Sequence, residues 1–491
     1  MEEHQVPGIA VGICDADSML WSAGFGRTRA GGGEPVSADT MFGVQSCSKM
    51  YTAAAVLLAV QEKLVDLDVP IVEYLPEIRL NSSFEPRPER LITLRHLLNH
   101  TAGFTHEAPV GSNYLVGRES FDAHCRSIYD TWLRFPVGHH FQYSNLGIDL
   151  AGYILQRRSG LPFDRFVRRT LFEPLGLTRT TFNAAEIQRE KDRAIGHSTD
   201  YPRIPVRVPM VAAGGLYTSV NDACRFMQFQ LGDPVHLAEM YRVPGRERGY
   251  GLGLAVTRAH GIPVRGHGGG GFGFLSDIYW APDAGIGVVV LTNSTAHPFQ
   301  WELAAEIFRE VVPHRPPRKV APPPEVSAGS LAGLAGNYSG TGDDQVTFVV
   351  EGDGGVLVRG DARHPVRFVG PLEFMIEHEL FRFRDLDDAG RPAYLERVDD
   401  EHVRYRNDVP EAAPAEADGP WNRDYAIRVY GVRDGTARLR QENGVHLFDD
   451  WRGGTVRLRR HRPGLYIAAT GEALDLTRTP PTYANVQLHQ L

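Results

Sequence analysis

Between Val312 and Glu325 the chain reads Val-Pro-His-Arg-Pro-Pro-Arg-Lys-Val-Ala-Pro-Pro-Pro-Glu. Proline has no backbone N–H and a fixed φ, so prolines at this density cannot sit inside a helix or a central strand and read as a stiff linker. The linker, set at 313–329, divides a chain of 491 residues, too long for one ordinary domain, into a first part over 1–312 and a second of different character. After it come short alternating segments, Gln345-Val-Thr-Phe-Val-Val, Leu380-Phe-Arg-Phe-Arg and Tyr394-Leu-Glu-Arg-Val. Spaced by frequent turn signals, they predict a small antiparallel barrel over 330–409. A second Pro/Ala/Glu-rich break, 409–420, precedes the strand-like Tyr425-Ala-Ile-Arg-Val-Tyr, Thr436-Ala-Arg-Leu-Arg and Leu465-Tyr-Ile-Ala-Ala, which form a second β region over 421–491. Two barrels, or one barrel with a long loop, satisfy this pattern equally.

The first part carries the chemistry. Lys49 is one of four lysines in a chain whose Lys+Arg total is 52. Arginine stays protonated, whereas a desolvated lysine can become neutral and accept a proton, so Lys49 is a candidate base. Ser46 lies three residues earlier, and the Ala- and Leu-rich run from Met50 to Glu62 predicts a buried helix with Ser46 at or near its N-terminal end. That spacing puts hydroxyl and amine on one face, a geometry suited to Ser-Lys nucleophilic catalysis. A helix-capping serine followed by a surface lysine produces the same pattern, so accompanying motifs must decide.

Two such motifs follow in order. A Pro/Gly loop, Pro136-Val-Gly-His-His-Phe-Gln, delivers Tyr143-Ser144-Asn145 just before a second apolar helix, and Gly266-His267-Gly268-Gly269-Gly270-Gly271-Phe-Gly-Phe leads into the alternating Leu-Ser-Asp-Ile-Tyr-Trp. From these residues the chain resembles the penicillin-recognising serine hydrolases: class C β-lactamases, D,D-peptidases, D-aminopeptidases and esterases of the same fold. Their signatures are Ser-x-x-Lys, Tyr-x-Asn and Lys/His-x-Gly. The resemblance covers roughly residues 5–312 and extends to Val6-Pro-Gly-Ile-Ala-Val-Gly-Ile, Leu97-Leu-Asn-His-Thr-Ala-Gly-Phe104, Leu171-Phe-Glu-Pro-Leu-Gly-Leu177, Ala213-Gly-Gly-Leu-Tyr-Thr-Ser219 and Tyr250-Gly-Leu-Gly-Leu254. It implies an α+β fold of β-lactamase/transpeptidase type, an antiparallel sheet flanked by helices, with a helical subdomain between the first two motifs. The all-β region resembles the lipocalin-like barrels that D-aminopeptidase-like relatives append to this domain.

The resemblance also assigns roles. Ser46 would be the nucleophile, and Lys49 and Tyr143 a coupled pair sharing the proton work. A phenol becomes a base at neutral pH only beside positive charge, which the amine can supply. Asn145 would hold Lys49 and bind a substrate carbonyl. His267 and Gly269, first and third residues of the last motif, would lie on the substrate side, and the N–H groups of Ser46 and Gly270 would form the oxyanion hole, each typically worth about 3 kcal/mol. Two residues depart from the pattern. His267 stands where β-lactamases have lysine, and a neutral histidine anchors a carboxylate poorly. Gln45 stands where the family usually has glycine.

Other readings close. Gly266-His-Gly-Gly-Gly-Gly271 fits the dinucleotide fingerprint formally but is followed by strand-like sequence instead of a helix. No Gly-x-Ser-x-Gly elbow surrounds Ser46. The 19 histidines include no His-Glu-x-x-His, and no Cys-x-x-Cys occurs, so neither metal nor other cofactor is expected. Cys14, Cys47, Cys125 and Cys224 are too sparse for a disulfide framework, and Cys47 is expected to be buried in the helix. Net charge of -8 and a pI near 6.2 give no sign of nucleic-acid binding, and no apolar run suits a bilayer. The expected partner is a small molecule or short peptide; the oligomeric state stays open, a homodimer included. Met1-Glu-Glu-His-Gln-Val-Pro contains no signal-peptide pattern, which gives a cytoplasmic expectation. The leading expectation is hydrolysis of an amide or ester, such as a D-amino-acid amide, small peptide or short acyl ester, through an acyl-Ser46 intermediate. An acyltransferase using the same intermediate and a non-catalytic penicillin-binding sensor or scaffold are the alternatives.

Overall fold

The computed structural model describes residues 1, 4, 6–112, 119–198, 204–232, 237–243, 249–312, 331–339, 345–352, 354–360, 362–370, 372–376, 379–397, 404–407, 420–429, 432–442, 445–451, 454–468 and 470–491. The expected linker over 313–329 and nearly all of the break over 409–420 lie outside these residues. Two compact units result: one of residues 1–81, 85–131 and 136–317, the other of 82–84, 132–135 and 318–491.

In the first unit β1 (Gly8–Asp15), β2 (Met19–Arg29) and β3 (Gly32–Pro35) form a meander. Then β4 (Phe42–Gly43) leads through one 3-10 turn, Gln45–Cys47, into α1 (Ser48–Gln61). A helical region follows: α2 (Leu94–Leu98), α3 (Phe121–Ser127), α4 (Asn145–Ser159), α5 (Phe163–Val167), α6 (Ala184–Arg189) and α7 (Val211–Gly214). The chain returns through β5 (Tyr217–Thr218), which pairs with β4, and α8 (Val220–Gly232). It then forms β6 (Gly249–Tyr250), β7 (Ala255–Ala259), β8 (Ile262–Gly271), β9 (Phe274–Ala281) and β10 (Ile286–Thr292), and ends in α9 (Gln300–Val311). The eight-stranded sheet is antiparallel, in the order β3-β2-β1-β10-β9-β8-β7-β6.

The central strands β1 and β10 are apolar on both faces because a helix covers each face. Ile9, Val11, Val288 and Val290 pack with Ala304, Ala305 and Phe308 of α9. On the opposite face Gly12 lets α8 approach so closely that a Cβ there would lie 2.4 Å from Val220 Cγ1. Helix α1 is apolar almost all round and correspondingly buried, packed against α4 and α7. Ser144 caps α4, its hydroxyl accepting from Leu146 N at 3.2 Å, and Gly160 ends the helix in the left-handed conformation.

The second unit contains two nine-stranded antiparallel sheets, one over residues 336–407 and one over 423–490. The first curls round a core rich in phenylalanine, including Phe348, Phe374, Phe381 and Phe383, and Val366 N donates to Gly355 O at 2.9 Å where its ends approach. In the second, the last strand, His489–Gln490, pairs with Arg423–Val429. The alternating segments read from sequence are strands here: Gln345–Glu351, Glu379–Leu386, Pro392–Arg397, Arg423–Val429, Val432–Glu442 and Leu465–Ala468. No helix among the described residues is long and apolar enough to cross a membrane.

Phe308 joins α9 to the sheet and is fully buried. Phe308→Ala should therefore destabilise the first unit by about 3–5 kcal/mol, read as a fall in denaturant midpoint.

Candidate active site

The Gln45–Cys47 turn places Ser46 half-buried at the mouth of α1, with Lys49 one helical turn on and completely enclosed. The amine makes three short contacts: Ser46 Oγ at 2.9 Å, Asn145 Oδ1 at 2.8 Å and Ala213 O at 3.0 Å. The two carbonyl-type oxygens can only accept, so they take two N–H groups of Lys49. Burial lowers the amine to a pKa of about 7, a shift that the more distant Asp149 carboxylate partly opposes. Near neutrality the third contact therefore suits an O–H of Ser46 donating to the free lone pair of Lys49.

Ala213 is held in place by α1 itself. Thr52 Oγ1 donates to Ala212 O at 2.8 Å and Ser48 Oγ accepts from Leu216 N at 3.1 Å, while the β4–β5 pair continues into Val44 N donating to Leu216 O at 3.0 Å. On the other side of α1, Gly253 has φ +73, and a Cβ there would meet Lys49 O at 2.6 Å.

Tyr143 and Asn145 arrive from the loop before α4. The Lys49 amine lies 4.8 Å from the centroid of the Tyr143 ring. The loop is fastened to the segment around His100: Gln142 N donates to His100 O at 2.8 Å, Ser144 N to His100 Nδ1 at 3.3 Å, and Ser144 Oγ to Thr105 O at 2.6 Å. The His100 ring also lies 4.6 Å from that of Tyr143, centroid to centroid.

The glycine-rich motif forms β8, which turns at Phe272-Gly273, both with positive φ, into β9. Such a pair makes a two-residue hairpin turn, and the strand reading of this run holds. Close approach explains Gly269, where a Cβ would fall 2.2 Å from Val44 O and 2.4 Å from Ser276 Oγ. Ser276 Oγ donates to Val44 O at 2.9 Å, and the Cys47 thiol donates to His267 O at 2.9 Å, so the turn that carries Ser46 is tied to β8 and β9. Cys47 is fully buried, as expected, and burial holds its thiol well above the ordinary value.

His267 is buried, and burial together with the nearby Lys49 amine drives its pKa down to about 3. Its Nδ1–H donates to Gly268 O, and its Nε2 accepts from Tyr250 O–H at 2.8 Å. Both nitrogens of this neutral ring are engaged within the protein.

The residues picked from sequence thus converge: Ser46, Lys49 and Asn145 by direct hydrogen bonds, Tyr143 by its ring, and His267, Gly269 and Gly270 along β8. Three contributors carried no assigned role: His100, Ala213 and Tyr250. Each lies in a segment that the resemblance had matched without a task, and Ala213 contributes only a backbone oxygen, which no side-chain pattern reveals.

A family model described as Beta-lactamase matches residues 1–312. "Penicillin-binding protein 4" of Amycolatopsis lactamdurans is 27% identical over 368 residues, spanning 69% of this chain and 95% of that protein. "Esterase EstB" of Burkholderia gladioli is 27% identical over 319 residues, spanning 58% of this chain and 78% of the esterase. The crystal structure of SurE shares the fold, with a TM-score of 0.58 and 23% identity over 82% of this chain and 96% of its own.

Gln45 has φ +48 and is buried beside Ser46. A left-handed position directly before the nucleophile is where glycine costs nothing and a side chain costs about 1–2 kcal/mol. Gln45→Gly should leave stability within about 1 kcal/mol, because relief of strain offsets the added chain entropy. Gln45→Val, β-branched at the same φ, should lower stability by about 1–3 kcal/mol in chemical denaturation.

Proposed function

Since the chain belongs to the Beta-lactamase family and is a serine hydrolase, we propose that it cleaves esters or amides with uncharged leaving groups through an acyl-Ser46 intermediate. The supporting observation is the arrangement of Lys49, buried with N–H groups taken by Asn145 Oδ1 and Ala213 O and its amine 2.9 Å from Ser46 Oγ. In this reading Lys49 removes the Ser46 proton as Oγ attacks the carbonyl carbon. The N–H groups of Ser46 and Gly270 take the developing oxyanion. Collapse breaks the bond to the leaving alcohol or amine, which receives the proton back through Lys49 and Tyr143, and water then hydrolyses the acyl-serine. Asn145 keeps the amine aligned and meets the substrate carbonyl.

The leaving-group preference follows from His267. A lysine in its place would offer a cation, whereas this imidazole is neutral and spends both nitrogens on Gly268 and Tyr250. A carboxylate brought beside it would lose hydration without gaining a partner. That favours short acyl esters and amides, D-amino-acid amides among them, over peptides or β-lactams recognised by a carboxylate.

Three measurements test the reading. Ser46→Ala should reduce turnover by about a thousandfold or more and abolish labelling by a serine-directed phosphonate; retained turnover would falsify it. Below a pKa of about 7 Lys49 is an ammonium and cannot accept a proton, so kcat/KM should rise about tenfold per pH unit up to about pH 7 and level above it. In a matched p-nitroanilide and p-nitrophenyl ester series, adding a carboxylate to the leaving group should cost about tenfold or more in kcat/KM. A gain on adding it would reject the role given to His267.

A further inference from the structure

Asp149 lies four residues after Asn145, on the same face of α4, and is completely buried. Its Oδ1 accepts from Ala213 N at 3.0 Å, and Ala213 O is the atom that receives the Lys49 amine at 3.0 Å. Its Oδ2 lies 3.1 Å from Nε2 of His124 on α3, a ring 1% exposed, whose Nδ1 lies 2.7 Å from Val110 O. A carboxylate and a carbonyl both accept, so with Asp149 ionised both ring nitrogens carry protons and the imidazole is a cation.

We propose that Asp149 and His124 form a buried ion pair that acts as a positioning device for the Ser46–Lys49 couple, holding Ala213 in register and balancing the charge that Lys49 faces. This rests on the reading of Lys49 as the base. None of the sequence motifs includes either residue.

The charges work in opposite senses. Asp149 favours the ammonium form of Lys49, against the dominant effect of burial. In this proposal His124 offsets that carboxylate, so that burial remains the dominant influence on the amine. Burial depresses His124, but its hydrogen bond to Asp149 and that carboxylate's charge outweigh it and leave the ring above its ordinary value. Other ionisable groups facing these residues are Cys47 and Tyr143 beside Lys49, His267 from β8, Cys125 on α3 against Asp149, and Glu107, which acts on His124. Burial holds Cys47 and Cys125 as thiols, and His267 is neutral, which leaves Tyr143, Glu107 and the Asp149–His124 pair as the groups that can carry charge here.

The test follows phosphonate labelling of Ser46 against pH, by intact mass, in the full chain. His124→Gln keeps a donor to Asp149 but removes the cation, so the acid limb of the labelling rate should move up by about one pH unit. Asp149→Asn removes the anion and, because burial then leaves His124 neutral, the cation with it; Asp149 is the member of the pair whose charge acts on Lys49, so the limb should still move down, by less than one unit. A purely structural role would slow labelling in both variants without sending the limb in opposite directions, and that result would overturn the proposal while leaving Ser46 and Lys49 in their roles. An unlabelled parent would overturn both. Because either variant can be unstable, ¹⁵N-histidine NMR of the parent provides a second measurement. A His124 ring with both nitrogens protonated at pH 8 supports the pair, and a neutral ring at that pH rejects it.

Discussion

The site depends on enclosing one amine without giving it a direct carboxylate partner. Lys49 is wholly buried, yet its three contacts are a hydroxyl, an amide oxygen and a backbone carbonyl. An exposed lysine would be charged at neutral pH, and a lysine in contact with a carboxylate would be held charged by it. Burial among neutral dipoles brings it to a pKa of about 7 against the opposing pull of the more distant Asp149, at a cost to the ammonium form of roughly 5 kcal/mol. An apolar helix, α1, is what makes that enclosure possible.

Much of the surrounding architecture holds partners against that amine. Helix α4 supplies Asn145 and, one turn later, Asp149; the segment ending in β5 supplies Ala213; Gly253 passes close behind the Lys49 backbone. The edge facing the nucleophile is fixed separately. Gly269 allows β8 to touch Val44, while Ser276 and Cys47 bind the turn to the sheet through hydrogen bonds. Small residues and backbone atoms dominate these contacts, since nothing larger fits between elements this close.

His267 illustrates how the same position can change its chemistry. Its identity already suggests weak carboxylate binding, but an imidazole beside an acid could still have been a cation. The neighbours decide: Gly268 O takes one nitrogen, Tyr250 O–H fills the other, and the nearby amine disfavours a second charge. The position therefore holds a neutral imidazole with both nitrogens engaged.

Much of this was legible in the chain before any tertiary contact. The i, i+3 spacing of Ser46 and Lys49, the apolar helix that follows the loop carrying Tyr143, the strand character of the glycine-rich run and the alternating C-terminal segments are all local properties, set by residues within a few positions of one another. The division of the C-terminal half into two sheets was not, because pairing between strands is non-local. Nor were the left-handed φ of Gln45, the carbonyl of Ala213, the tautomer of His267 or the pairing of Asp149 with His124. Sequence by itself determined which groups could do the chemistry and on which elements they ride. Only the tertiary structure decided their protonation, because desolvation and neighbouring charge arise when α1, α3, α4, α7 and β8 close around a single amine.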